Sequence, residues 1–265
     1  MSSSSRRLLG VLLALPLSLA GATLVGAPAD AANAPIGLGT AASFAVLGGS
    51  TVTNTGPTVV NGDLGLSPGT SVTGFPPGTV NGTVHAADAA ASTAQDDTTT
   101  AYNTAAGLSA TGAITADLGG QVLGPGVYGA TTLALTGALT LNAAGDPNAV
   151  FVFRSDSTLI TAAASSVVLA GGASACNIFW LVGSSATLGV NSVLSGTVAA
   201  LTAITANTGA TVSGRLLARN AAVTLDSNSV SLPVCAAAAS APPVAASPSR
   251  RSSTRATSEG SDSAR

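Results

Sequence analysis

Residues 177–233 repeat. The stretches "NIFWLVGSSATLGVNSVLSG" (177–196), "TVAALTAITANTGATVSG" (197–214) and "RLLARNAAVTLDSNSVSLP" (215–233) are consecutive units of about 20 residues. Each splits into three short strands; in the middle unit they are "TVAAL", "AITAN" and "ATVSG". A unit this short cannot bury its apolar side alone, and only stacking against its neighbours completes a core. The period therefore predicts a mainly β fold, a β-solenoid (β-helix) of triangular cross-section. The pattern continues upstream with looser loops. "GVYGA", "LALTG" and "LTLNA" make one coil, and "AVFVFR", "TLITA" and "SVVLAG" the next. Near the start lie "FAVLGG", "TVTNT", "TVVNG" and then "GDLGLS", "SVTGF", "TVNGT", for seven visible coils. The side chains are mostly Ala, Gly, Thr, Ser and Val, which fill only a narrow interior at normal packing density.

One segment breaks the period. In residues 84–107, Ala87, Ala90, Ala91, Ala94, Thr98, Ala101, Tyr102 and Ala105 fall at helical spacing, and Gly107 suits a helix end. One helix is expected near 86–106, lying with its alanine face against a side of the solenoid. The two ends differ from the middle. Residues 1–31 read as a secretory signal peptide: Arg6 and Arg7, an apolar stretch broken by Pro16, then "APADA" with overlapping small-residue cleavage sites. A membrane anchor is the alternative, disfavoured by the interrupted apolar run. Residues 236–265 are Ala, Ser, Pro and Arg without an aromatic, a composition expected to stay disordered. The solenoid domain is thus 32–235, secreted and extracellular.

The charges exclude several functions. The chain has no lysine, and between 32 and 236 only Arg154, Arg215 and Arg219 face eight aspartates. That balance is wrong for nucleic acid or an anionic membrane. The acids are scattered, whereas a polysaccharide-cleaving site needs paired carboxylates, so no enzyme activity is expected. Asp96 and Asp97 are adjacent on the helix and point in different directions. His85 is the sole histidine, with no cysteine cluster to join it in a metal site; no cofactor is implied, and His85 is expected at the helix entrance as a solvated or capping residue. Trp180 reads as a core anchor. Glu259 lies in the tail. Cys176 and Cys235 form one disulfide in an exported chain, or remain two separate thiols. Strict chain-order stacking puts them about three rungs apart, beyond the Cα separation of roughly 7 Å that a disulfide spans, unless the chain after Val234 folds back.

Aligning the second strand of each coil on its threonine gives a ladder. Thr53, Thr73, Thr136, Thr161, Thr187, Thr205 and Thr224 each follow an apolar or small residue, Val52, Val72, Leu135, Ile160, Ala186, Ile204 and Val223. Alternation across a strand then sends the apolar set inward and the threonines outward. Two positions earlier lie Thr51, Ser71, Ala134, Leu159, Ser185, Ala203 and Ala222, also outward, with Leu159 projecting among small residues. Such a face is flat, rigid, uncharged and studded with methyls and hydroxyls. It suits a crystal lattice such as ice, reached through ordered water. Threonine's strand preference and plain coil repetition explain the same pattern.

Several segments in one order carry a resemblance: "LGTAASFAVLGGSTVTNTG", "LGPGVY", "GDPNAVFVFR", "NIFWLVGSSATLG" and "TAITANTGATVSGRLLARNAAVTLDSNSV". Over roughly residues 36–233 the chain resembles the secreted ice-binding-like family of bacteria, fungi and algae. The resemblance implies a right-handed, discontinuous solenoid, whose coils need not stack in chain order, with a long helix alongside. It also implies ice as the partner, a monomer, and ice contact through one helix-free face. There some members carry Thr-Ala/Gly-x-Thr/Asn. Thr202-Ala203-Ile204-Thr205 matches that motif, whereas Ser184-Ser185-Ala186-Thr187 and Ala221-Ala222-Val223-Thr224 depart from it. The site expected on this basis is Thr53, Thr73, Thr136, Thr161, Ser185, Thr187, Thr202, Ala203, Thr205 and Thr224. An extracellular structural or adhesive module is the competing reading.

Overall fold

The structure, a computed structural model, describes residues 36–235. The signal peptide and tail expected at 1–31 and 236–265 lie outside the described residues. The chain divides into two units, Met1–Val234 and Cys235–Arg265, and every element below belongs to the first.

The strands pair in parallel, coil upon coil, and fall into three stacks. One stack, the helix face, includes Phe44–Gly48, Asp63–Leu66, Gly126–Ala130, Phe151–Ser155 and Ile178–Val182. A second, the threonine face, is a seven-stranded sheet. A third face includes Val59–Asn61, Ala138–Asn142, Ser166–Ala170 and Ser229–Ser231. Val193–Ala200 and Thr211–Ala218 run unbroken from the third face into the helix face. They bend at Gly196 and Gly214, which stack so closely that a Cβ on Gly214 would sit 1.8 Å from the Gly196 carbonyl oxygen. All seven coils read from the sequence are present. An eighth was missed: Gly112–Ala113, Asp117 and Val122–Leu123 form a short terminal coil paired to 126–142. Its strands of two residues are too brief to show alternation.

The stacking is discontinuous, as the resemblance implied. From 112 to 231 the coils follow chain order. The next neighbour of the last coil is then not a new segment but the N-terminal one. Val46 pairs with Leu216, Val52 with Val223 and Val60 with Val230, joining residues about 170 positions apart. Beyond this seam lie 63–80 and finally Val84–Ala86.

The helix spans Ala89–Ala106. It starts later than expected because Val84–Ala86 adds a strand to Asp63–Leu66 first. Asp88 is the N-cap, its carboxylate accepting the Ala91 N–H at 2.9 Å. His85, on that strand rather than on the helix, places Nδ1 2.7 Å from the Asp88 carboxylate and packs its ring on Phe44. Ala91 and Ala94 pack with Phe44, Leu47 and Leu217, while Ala101 and Ala105 pack with Val127, Val152 and Phe179. At 1.5 Å per residue the helix is about 27 Å long, close to the five rungs of about 4.8 Å between Phe44–Gly48 and Gly126–Ala130. It carries the chain back from one end of the stack to the other. Buried Gln95 ties the helix to the seam, donating to the carbonyls of Gly48 (2.7 Å) and Ala218 (3.1 Å), one on each side. At the C-terminal end, Arg154 donates to the carbonyls of Ala106 and Leu108. Asp97, distinct in direction from Asp96, accepts the Thr40 N–H and hydroxyl, both at 2.7 Å.

The interior is graded. Tyr128, Phe153 and Trp180 stack in register, with ring centroids 5.6 and 4.3 Å apart. Along the same row Val198, Leu216 and Val46 continue the core as aliphatics. Trp180 is fully buried and donates its indole N–H to the Ser195 carbonyl at 2.9 Å.

Three carboxylates hold ends in place and set an acid limit on stability. The Ala91 N–H, and secondarily His85, holds Asp88 below the usual carboxylate range. The Thr40 N–H and hydroxyl do so for Asp97, and the Thr136 hydroxyl with the Gly119 and Thr136 N–H groups for Asp117. A depressed folded pKa stabilises above the unfolded value and is lost as pH falls through the folded one. The melting temperature should therefore hold steady from neutrality to about pH 5 and fall below about pH 4. Asp97→Ala should melt lower than wild type at pH 7, with the gap narrowing toward pH 2. A pH-independent gap would rule out the ionised carboxylate as the cause.

Candidate functional site: a hydroxyl-bearing sheet face

The threonine face orders its strands as Leu133–Leu135, Leu159–Thr161, Ala186–Leu188, Ile204–Ala206, Val223–Asp226, Thr51–Thr55 and Ser71–Thr73. Inward side chains are buried on six of the seven strands, Leu133, Leu135, Leu159, Ala186, Leu188, Ile204, Ala206, Val223, Leu225 and Val52, and Val72 on the last strand is half-buried. Register through these residues fixes what points out, because a slip of one position would reverse every side chain.

The outward column reads Ala134, Ile160, Thr187, Thr205, Thr224, Thr53, Thr73. Five of the seven expected threonines align, and two do not. Thr161 is a correction: it points inward, 3 % exposed, and its hydroxyl accepts the Gly189 N–H at 2.8 Å. Ile160 takes the outward place at 53 % exposure. Leu159 is fully buried and does not project. Thr136 lies one residue beyond its strand; it is exposed but out of the column, and Asp117 accepts both its hydroxyl and its N–H. The error was one of alignment. In "LALTG" Leu133 and Leu135 occupy the positions matching Ile204 and Ala206; in "TLITA" Leu159 matches Ile204, and Thr161 itself falls at the buried Ala206 position. Burying a leucine removes far more apolar surface than burying a threonine, so the leucines set the register. Spacing by leucine would have found it.

The second outward column is richer in hydroxyls than expected. Backbone hydrogen bonds from Leu133 to Thr158, Leu159 to Ser185, Ala186 to Ala203 and Ile204 to Ala222 fix it as Thr132, Thr158, Ser185, Ala203, Ala222, followed by Thr51 and Ser71. Ala134 belongs to the first column. Thr202 lies at the edge, exposed, between this face and the helix face, with Ala203 and Thr205 on the face proper.

The two columns form a grid. Rungs repeat at about 4.8 Å and outward residues along a strand at about 6.7 Å. Thr53 donates its hydroxyl to that of Thr224 across the seam at 3.3 Å. Among the described residues, no protein hydrogen bond engages the hydroxyls of Thr73, Thr187 or Thr205, which leaves them for water. β-Branching restricts each threonine at χ1, so the array is ordered before anything binds. No charged side chain stands in either column. Asp156 and Arg219 lie at the edge toward the helix face, and at the far corner the Asp226 carboxylate accepts the hydroxyls of Thr208 and Ser227, while the Asp226 N–H donates to the Asn228 side-chain oxygen. No group of three or more metal-ligating side chains exists among the described residues.

A family model described as Ice-binding-like matches residues 46–231, which include the seam, the whole threonine face and the helix. The chain belongs to the ice-binding-like family. It is 54 % identical over 197 residues to an ice-binding protein of Nostoc sp. (strain HG1), covering 73 % of each chain. Two solved structures match at TM-score 0.74 over 76 % of this chain. One, an ice-binding protein from an Antarctic biological consortium, is 53 % identical and covered to 92 %. The other, an ice-binding protein from the Antarctic ascomycete Antarctomyces psychrotrophicus, is 47 % identical and covered to 100 %. The family's β-solenoid, with parallel sheets and one helix, is the fold described above.

Proposed function

We propose that this protein adsorbs to ice through the threonine face, and that adsorption inhibits ice growth and recrystallisation. The observation that carries the reading is the grid itself: five threonines in register, uncharged, free of protein hydrogen bonds at three hydroxyls and immobilised by the sheet beneath. Ordered water bridges a hydroxyl nearly as well as a direct contact does. A surface that loses no conformational entropy on binding keeps the sum of many weak contacts. The contact residues in this reading are Thr53, Thr73, Ser185, Thr187, Thr202, Ala203, Thr205 and Thr224. The outward Thr51, Ser71, Thr132 and Thr158 join them, while buried Thr161 makes no contact and Thr136 a marginal one.

The reading extends to the rest of the molecule. The coils wind right-handedly with a triangular section, supported by three strand stacks per turn. The protein acts outside the cell as a non-catalytic monomer, with residues 1–31 as its export signal, and binds neither nucleic acid nor, once mature, membrane. Cys176 and Cys235, neither of them free, form a disulfide. No helix of the described residues is long and apolar enough to cross a membrane.

The test is ice-affinity partitioning of residues 32–265. Enrichment in the ice fraction is expected; exclusion, with β-rich circular dichroism intact, would sink the reading and leave the adhesive one. Ile160→Thr is expected to strengthen adsorption, because it extends the run of threonines at an exposed position without touching the core. An unchanged or lower thermal hysteresis would show that the column's length does not set the activity.

A further inference from the structure

On the helix face the outward row nearest the threonine face runs Gly129, Arg154, Leu181, Ala199, Leu217 and Leu47 in register. The helix crosses this face obliquely. Its first half packs on Leu47 and Leu217 of that row, and its second half on Val127, Val152 and Phe179 of the next row over. The oblique course leaves a cleft of about 700 Å³ at the Gly129 end, between the last helical turns and the corner that leads to the threonine face. That volume is in the range of small-molecule sites. Tyr102 and Ala106 form the helix wall, and Thr131 and Asp156 the opposite rim. Gly129 gives the cleft its depth. It pairs without a bulge inside Gly126–Ala130, and its φ is ordinary. A Cβ there would meet only the Arg154 carbonyl oxygen, at 4.0 Å. Glycine inside a strand weakens it, and one that no bulge, bend or backbone contact requires marks a place kept open for a ligand.

Three polar groups line this cleft. Among the described residues, no protein hydrogen bond engages the Tyr102 hydroxyl or the Asp156 carboxylate. Burial, and secondarily the Asp156 charge, raises the Tyr102 phenol, so the two groups are within electrostatic reach of each other. Arg154 directs Nη1 to the carbonyls of Ala106 and Leu108 and keeps Nε and Nη2 for a ligand. The charges select against ionic ligands. An anion meets Asp156 and the negative C-terminal end of the helix, and a cation meets Arg154. Leu181, Leu201 and the Tyr102 ring supply apolar wall. We infer that this cleft binds a neutral saccharide. Sugar hydroxyls take both the donors and the acceptors present, and a sugar's C–H face lies against an aromatic ring that carries its own polar tip. One carboxylate without a second leaves no pair for hydrolysis, so the sugar is held and not cut. The cleft opens beside the threonine face and not on it. A protein held to a glycan here keeps its ladder free, and the saccharide site does not rest on ice binding.

Titration of isotope-labelled protein with cellotriose, mannotriose and chitotriose, with glycerol beside them, reads the site through amide chemical shifts. At least one trisaccharide at millimolar concentration should saturably shift the amides of Ala106, Gly129, Arg154 and Gly183, and glycerol should shift none. Weaker binding of the matching monosaccharide assigns a polymer as the source, and equal binding a free sugar. Gly129→Leu fills the cleft from an open position. It should weaken binding at least about tenfold, with circular dichroism and ice partitioning as in wild type. Silence with all three sugars, shifts outside the cleft, an equal response to glycerol, or binding that survives Gly129→Leu overturns the inference. Loss of ice partitioning in Gly129→Leu also overturns it, by joining the cleft to the ice face. Sugar binding by a protein that ice excludes leaves this site standing and overturns only the ice reading.

Discussion

Thr205→Tyr should lower the ice-partitioned fraction at least about tenfold, a loss of about 1.4 kcal/mol in adsorption free energy. Thr205 is the middle residue of the outward column, between Thr187 and Thr224. A phenol ring there stands above the plane and lifts both neighbours from a lattice that cannot deform to receive it. The contacts are individually weak, so losing several at once removes most of the adhesion. The fold should be indifferent. Thr205 is only half-buried, its inward neighbours Ile204 and Ala206 are untouched, and tyrosine favours strands. Ser92→Tyr, on the exposed side of the helix, serves as the control and should partition as wild type does. Melting temperature and circular dichroism should match across all three proteins. A Thr205→Tyr protein that enters ice like wild type would remove the threonine face from the mechanism.

Trp180→Ala should cost about 3–5 kcal/mol of folding stability, a fall of roughly 10 °C in melting temperature for a domain of this size. The indole is fully buried, lies 4.3 Å from the Phe153 ring and holds the Ser195 carbonyl. Its removal opens a cavity flanked by strands that are fixed to their own neighbours and cannot close in. It also leaves a buried carbonyl without that partner. Trp180→Phe keeps the volume nearly intact and should recover most of the loss. A change below about 1 kcal/mol in Trp180→Ala would mean that the coil collapses around the gap.

Much of this architecture was legible because a solenoid writes its period into the chain. Coils 177–233 could be read almost residue by residue, since each buried position falls at the same place in a unit of nearly constant length. Reading failed where that constancy failed. In coil 126–142 leucines flank the outward Ala134, and in coil 151–170 Leu159 and Thr161 flank the outward Ile160; aligning their threonines instead of their leucines put Thr136 and Thr161 in the wrong place. The terminal coil at 112–123 escaped notice because its strands are two residues long. The helix was found by its alanines, but its start was misplaced, since "VHA" continues the sheet before Asp88 caps the helix. The hydrogen bonds of Gln95 left no trace in the pattern at all. A lone glutamine on an alanine face looks like surface until the two carbonyls it holds come into view.

The seam between the first and last coils governs when the molecule can become itself. Strand Thr51–Thr55 has its partner on one side in Ser71–Thr73, nearby in sequence, and on the other in Val223–Asp226. While the chain is being made, the N-terminal coils therefore wait with an open edge until nearly all of the domain has been synthesised. Contacts of such long sequence separation slow folding and keep edges exposed in the meantime. The row of hydroxyls cannot assemble progressively: Thr224 and Thr53 meet only when the chain is almost complete. A polypeptide of this design stays incompletely folded through most of its translation, the condition in which a chain can be threaded through an export channel and finish its structure on the far side.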